Sequence, residues 1–195
     1  MYLEVKIYFG PGAQVALARM RAVTGRLLPF GDRTPRVAPD AFLAPSACLI
    51  GDVEVGSQAS IWFGCVVRGD VHFVRIGART NLQDGCIIHV TGGGLPTRIG
   101  DEVTVGHGCI LHACTLEDGA FIGMGATLMD GAVVEGGAML AAGSLLTPGK
   151  RVPAGQLWAG RPARYLRAVS AEEAAGFAEA SERYVELARS YMGTA

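Results

Sequence analysis

From Val37 onward an aliphatic side chain returns every six residues: Val37, Leu43, Leu49, Val55, Ile61 and Val67. After three extra residues the series resumes at Ile76, Leu82 and Ile88, and after the segment "TGGGLP" at Ile99, Val105 and Leu111. One residue is then skipped, and the series runs through Leu116, Ile122, Leu128, Val134, Leu140, Leu146 and Val152 to Trp158. Four positions after most of these stands a small or β-branched residue, among them Ala59, Cys65, Thr80, Cys86, Val103, Cys109, Ala120, Ala126 and Ser144. A period of six is neither helical nor the alternation of a lone strand. It fits a solenoid whose unit is one short strand and one turn, with the aliphatic residue pointing inward and the small residue filling a corner. Three units close one triangular coil, and coils stack about 4.8 Å apart. One coil cannot bury its own apolar face, so only the stack is stable.

The rest of the composition agrees. Glycine is abundant (28 of 195) and aromatics are few (7%), which suits tight turns and a core of small residues. Charged residues are only 18% and mean hydropathy is positive, so apolar surface is expected to lie hidden between subunits. A formal charge of −1 carries no electrostatic footprint for nucleic acid. No apolar run reaches the length of a membrane span, and no signal peptide is legible, so a cytoplasmic protein is expected. The five cysteines are odd in number and unpatterned, against a disulfide framework. Cys65, Cys86 and Cys109 fall on the small inward position and read as core; Cys114 lies nearer the histidines but also reads as structural. The pattern divides the chain into a leader over 1–34, disordered or artefactual in part with Met20 as an alternative start, a β-helix over 35–165, and a helical tail over 166–195. Ser170 and Glu173 form a capping-box signature, which predicts a helix over 171–192 with Phe177, Tyr184, Ala188 and Tyr191 at helical spacing. The repeat resembles the hexapeptide-repeat family, and that resemblance implies a mainly β, left-handed parallel β-helix with a C-terminal α-helix.

Three of the four histidines gather in the middle of the repeat: His89, His107 and His112. With Ile76, Leu82 and Ile88 on faces a, b and c of one coil, Ile99, Val105 and Leu111 take the same faces of the next. His89 follows Ile88 and His112 follows Leu111, so both point outward from face c, one coil apart. Their nitrogens can then approach to about 3.3 Å, the gap between two ligands of a tetrahedral zinc. His107 lies two residues past Val105, on face b. It can join the other two only if face b of one subunit packs on face c of another, which a threefold trimer supplies. The spacing therefore predicts a metal centre shared between subunits of a homotrimer. His72 falls outside this cluster and reads as a surface or interface group.

The segments "VVRGDVHFVRIGARTNLQDGCIIHV", "IGDEVTVGHGCILHACTL", "FIGMGATLMDGAVV" and "AAGSLLTPGK" closely resemble the γ-class carbonic anhydrase family, over roughly 35–190. The resemblance implies Zn²⁺, with Fe²⁺ or Co²⁺ as alternatives, on His89, His107 and His112. It implies reversible hydration of carbon dioxide to bicarbonate by a metal-bound hydroxide at trimer interfaces. Gln83 matches the glutamine that orients the hydroxide, and Asn81 the asparagine that helps bind carbon dioxide or bicarbonate. Arg68, Asp70 and Asp84 match an interface ion-pair set. Tyr184 matches a helix tyrosine near the metal in some relatives, although its helical spacing equally suits packing.

Two departures stand out. Founding members carry a glutamate directly after "RGD" and an acidic loop, which shuttle protons; here Val71 follows Asp70, and "TGGGLPT" holds no acid. Proton release is then expected to limit turnover. Two other readings share the coil: a hexapeptide acyltransferase or thioesterase acting on coenzyme A esters, and a catalytically silent metal-binding trimer.

Overall fold

The computed structural model describes residues 25–193. The protein is a parallel β-helix of about seven coils with one C-terminal helix. Each column of expected inward residues is a parallel ladder. Face b runs Leu43, Ile61, Leu82, Val105, Ile122, Leu140 and Trp158. Face c runs Leu49, Val67, Ile88, Leu111, Leu128 and Leu146. Face a runs Val37, Val55, Ile76, Ile99, Leu116, Val134 and Val152. These side chains fill one continuous core. The small residues close its corners: Ala59, Cys65, Cys86, Cys109 and Ala126 are fully buried. The cysteine thiols are satisfied by carbonyls of the next coil, as where Cys86 Sγ donates to the Gly106 oxygen at 3.2 Å.

The breaks in the period are structural features in their own right. The strand Val66–Ile76 crosses the corner between faces c and a, beside the strand Cys48–Val55. Gly51 pairs with Gly69, but Val53 pairs with Val74, so the three extra residues are extruded around Val71 and His72. Glycine is required at the start of this excursion, because a Cβ on Gly69 would fall 2.4 Å from the Asp52 carbonyl oxygen. The skipped residue falls at Ala113, which turns the shortened corner with φ +49°. That left-handed conformation is costly for a residue with a side chain.

The terminal parts differ from the boundaries expected. Residues 1–24 of the expected leader lie outside the described residues. Within the remainder, Arg26–Leu28 joins the coil, pairing in parallel with Cys48–Ile50. Three residues are too few to display the period, which is why the strand is illegible in sequence. Before the helix, Ala163–Ala168 folds back antiparallel on Gln156–Gly160 and ends the stack as a hairpin.

Helix α1 (Ala171–Met192) starts at a full capping box between Ser170 and Glu173. It lies along face b, burying Phe177, Ala180, Ser181, Val185 and Ala188. Phe177 stacks on Phe121, Tyr184 meets Trp62, and Ser181 Oγ donates to the Arg79 carbonyl oxygen at 2.8 Å. Among the described residues no helix is long and apolar enough to cross a membrane.

Candidate metal centre

The site residues are positioned by the period itself. His89 ends the strand Ile87–His89 and His112 ends Ile110–His112, and the two are register partners on face c. Because the inward neighbours Ile88 and Leu111 are fully buried, the histidines must project outward. Nδ1 of His89 and Nε2 of His112 lie 3.2 Å apart. That is close to the roughly 3.3 Å between two nitrogens on a tetrahedral zinc.

Each of the three histidines presents its other nitrogen to a carboxylate. His89 Nε2 is 3.1 Å from Asp70 Oδ1, His107 Nδ1 is 2.9 Å from Asp84 Oδ2, and His112 Nδ1 is 2.6 Å from Asp130 Oδ1. A carboxylate accepts from N–H, so each acid engages one ring nitrogen and leaves the other for a second partner. Imidazoles backed by carboxylates are a donor set that suits a zinc-class ion. The surroundings keep two of these acids, Asp70 and Asp130, ionised. Burial pushes the Asp70 carboxyl up, but hydrogen bonds from Arg68 and His89 outweigh it and hold it at about 2. Asp130 is held below the usual carboxylate range by the Thr91 hydroxyl and then by His112.

The expected site residues fall into two groups in one chain. On face c, Arg68 pairs with Asp70, and Asp70 reaches His89 beside His112. On face b, His107 and Asp84 stand with Gln83, Asn81 and Tyr184. A cavity of roughly 420 Å³ there is lined by Gln83, Thr104, His107, Met124, Arg183 and Tyr184. Gln83 and Asn81 are buried and chained together: Gln83 Nε2 donates to Asn81 Oδ1 at 3.1 Å, and Asn81 Nδ2 to Thr104 Oγ1 at 2.9 Å. Burial and the nearby Asp84 carboxylate push the Tyr184 phenol up, so it stays protonated near neutrality. Among the described residues of one chain, no group of three or more His, Cys, Asp or Glu could hold a metal ion. His72 packs its ring against Phe73, with centroids 4.8 Å apart. Cys114 is buried, and burial pushes its thiol up to about 12.

Sequence reasoning missed Asp130, Thr91 and Thr104. "MDG" at residues 129–131 reads as an ordinary turn, and only the folded coil carries its acid to His112.

No family model matches the chain. Among curated proteins it is 50% identical over 163 residues to gamma carbonic anhydrase 2, mitochondrial, of Arabidopsis thaliana, covering 81% of this chain and 59% of that protein. The chain thus spans about three fifths of that plant relative's length. It is 48% identical over 151 residues to a probable carbonic anhydrase of Methanocaldococcus jannaschii, covering 77% of this chain and 94% of that one. Among solved structures, a hexapeptide transferase family protein from Anaplasma phagocytophilum superposes with a TM-score of 0.82 at 50% identity, over 88% of this chain and 99% of that one.

Proposed function

The chain belongs to the γ-class carbonic anhydrase family, and from that premise we propose that it interconverts carbon dioxide and bicarbonate at a metal held between subunits of a homotrimer. His89 and His112 of one subunit and His107 of its neighbour would hold the ion, Zn²⁺ in the first instance, with Fe²⁺ or Co²⁺ as alternatives. The observation that carries this reading is the pair of histidine ring nitrogens 3.2 Å apart on face c, matched by a third carboxylate-backed histidine on face b. The outward neighbours of the face c histidines support the trimer. Val66, Ile87 and Ile110 are exposed by 36%, 48% and 42% and stack in one column beside Arg68, His89 and His112. A second copy would cover that stripe.

When bound, the ion supplies Lewis acidity that makes water a nucleophile near neutral pH. The chain's own residues supply the rest. Asp70, Asp84 and Asp130 keep one proton on each ring and so keep the opposite nitrogen free. The Gln83 amide, fixed by its bond to Asn81, would leave Oε1 as the acceptor that aims the attacking oxygen. The apolar wall around Met124 and Phe121 suits a linear, uncharged substrate. With Val71 and "TGGGLPT" in place of acids, neither segment supplies a carboxylate of its own to carry the proton away. Turnover is expected to rise with buffer concentration.

The test is metal analysis of freshly purified protein alongside stopped-flow carbon dioxide hydration. One ion per subunit, and hydration lost in His112→Ala, is the result expected. Acetyl-CoA turnover by metal-depleted protein would replace this reading with acyl transfer. Stoichiometric metal without hydration would leave a silent metal-binding trimer.

A further inference from the structure

Asp130 touches two parts of the chain that belong to different coils. Its Oδ1 lies 2.6 Å from His112 Nδ1, and its Oδ2 accepts a hydrogen bond from the Thr91 hydroxyl. Thr91 stands two residues after His89, at the start of the excursion that separates His89 from the next strand, Thr97–Ile99. The excursion is folded on itself, with Thr91 N donating to Leu95 O and Gly94 N to Thr91 O, each at 3.2 Å. Its tip returns to the acid: a Cβ on Gly131 would fall 3.3 Å from Leu95 Cδ1. On the other side, His112 is followed by Ala113 in its left-handed conformation, whose N–H donates to the His89 carbonyl at 3.1 Å. The backbone between the two histidines is thus pinned at the corner where the period is one residue short. Strain of this kind persists only where surrounding contacts hold it.

We propose that Asp130, held by Thr91, is a positioning residue for the metal centre: one carboxylate fixes the ring of His112 and ties it to the segment leaving His89, so the loop over 90–96 sets the spacing of the two ligands. This rests on the metal reading above. The carboxylate keeps the proton on Nδ1 of His112 and turns Nε2 toward His89. An amide in its place can present either oxygen or N–H to the ring, so the tautomer is no longer dictated. A loop carrying no charge of its own thereby gains a hold on the metal.

The experiment compares wild type, Asp130→Asn, Thr91→Val and the double variant as full chains, titrating zinc against a chromophoric chelator. Asp130→Asn should weaken zinc binding about 10- to 100-fold. Thr91→Val should weaken it several-fold, and the double variant should bind no worse than Asp130→Asn alone, since the threonine acts only through the acid. Histidine-selective ¹⁵N NMR on metal-free protein supplies the readout that survives if zinc binding is absent. His112 should carry its proton on Nδ1 in wild type and populate both tautomers in Asp130→Asn. Wild-type zinc binding retained in Asp130→Asn, or an unchanged His112 tautomer, would overturn the proposal. A wild type that binds no zinc but shows the tautomer change would defeat the metal reading and keep the positioning role.

Discussion

Trp62 and Tyr184 meet edge to face, with ring centroids 5.4 Å apart, and this contact joins the terminal helix to the coil that precedes Gln83. Trp62 is almost fully buried and also packs on Phe42 and Tyr191. Trp62→Ala is expected to cost about 3–5 kcal/mol, read as a lowered urea midpoint by circular dichroism. Tyr184→Phe keeps the ring and should change stability by less than about 0.5 kcal/mol. A loss of hydration in Tyr184→Phe without loss of stability would assign the phenol a role beyond packing.

The exposed aliphatic column on face c gives a second expectation. Ile87 points outward from a strand whose next residue, Ile88, is core. Ile87→Glu should leave the coil intact but dissociate the proposed trimer, since buried unpaired charge is strongly unfavourable at an interface. Sedimentation should report monomers, and bound metal should fall with the assembly. A trimer that survives Ile87→Glu would place the subunit contact elsewhere.

Gln83 is expected to separate catalysis from metal binding. Gln83→Ala removes the donor to a buried Asn81 oxygen, at a stability cost of about 1–3 kcal/mol. Loss of an oriented hydrogen-bonding group commonly lowers kcat on the order of 100-fold. Metal per subunit should be unchanged, and an unaltered kcat would remove Gln83 from the mechanism.

Acid should loosen the start of the helix first. Two hydrogen bonds from Arg167, and then the Ser170 N–H, hold the Glu173 carboxyl at about 2, below its ordinary 4.5. A depressed folded value means the stabilising contribution is full above the unfolded pKa and is lost as pH falls from about 4.5 toward 2. Protection factors in the first turn of α1, measured against the intrinsic exchange rate at each pH, should fall across that window. In Glu173→Gln they should be lower at neutral pH and unchanged on acidification.

The inward half of the molecule is legible in the chain because burial repeats with the count of six from Leu43 to Val152. Leu82, Ile88, Val105 and Leu111 each take the face that the count of six assigns. The outward half is less so. His89 and His112 could be stacked by counting, since both follow an inward residue directly. Asp130 could not, because it sits in a turn, 18 residues from His112 and 39 from Thr91, and turn side chains obey no period. Arg26–Leu28 was lost among the leader because three residues against the edge of one strand leave no pattern to count. Asp84 could be assigned only to an interface; its contact with His107 depends on a corner whose angle the repeat does not specify.

The two face c histidines are consecutive rungs of one ladder, and that has a bearing on how such a chain can evolve. Adding a rung at either end merely lengthens the column. Duplicating one between His89 and His112 would leave every hydrophobic contact in phase yet double the separation of the two imidazoles. Solenoids are open to growth by repetition, but this one is closed to it along a single 23-residue interval.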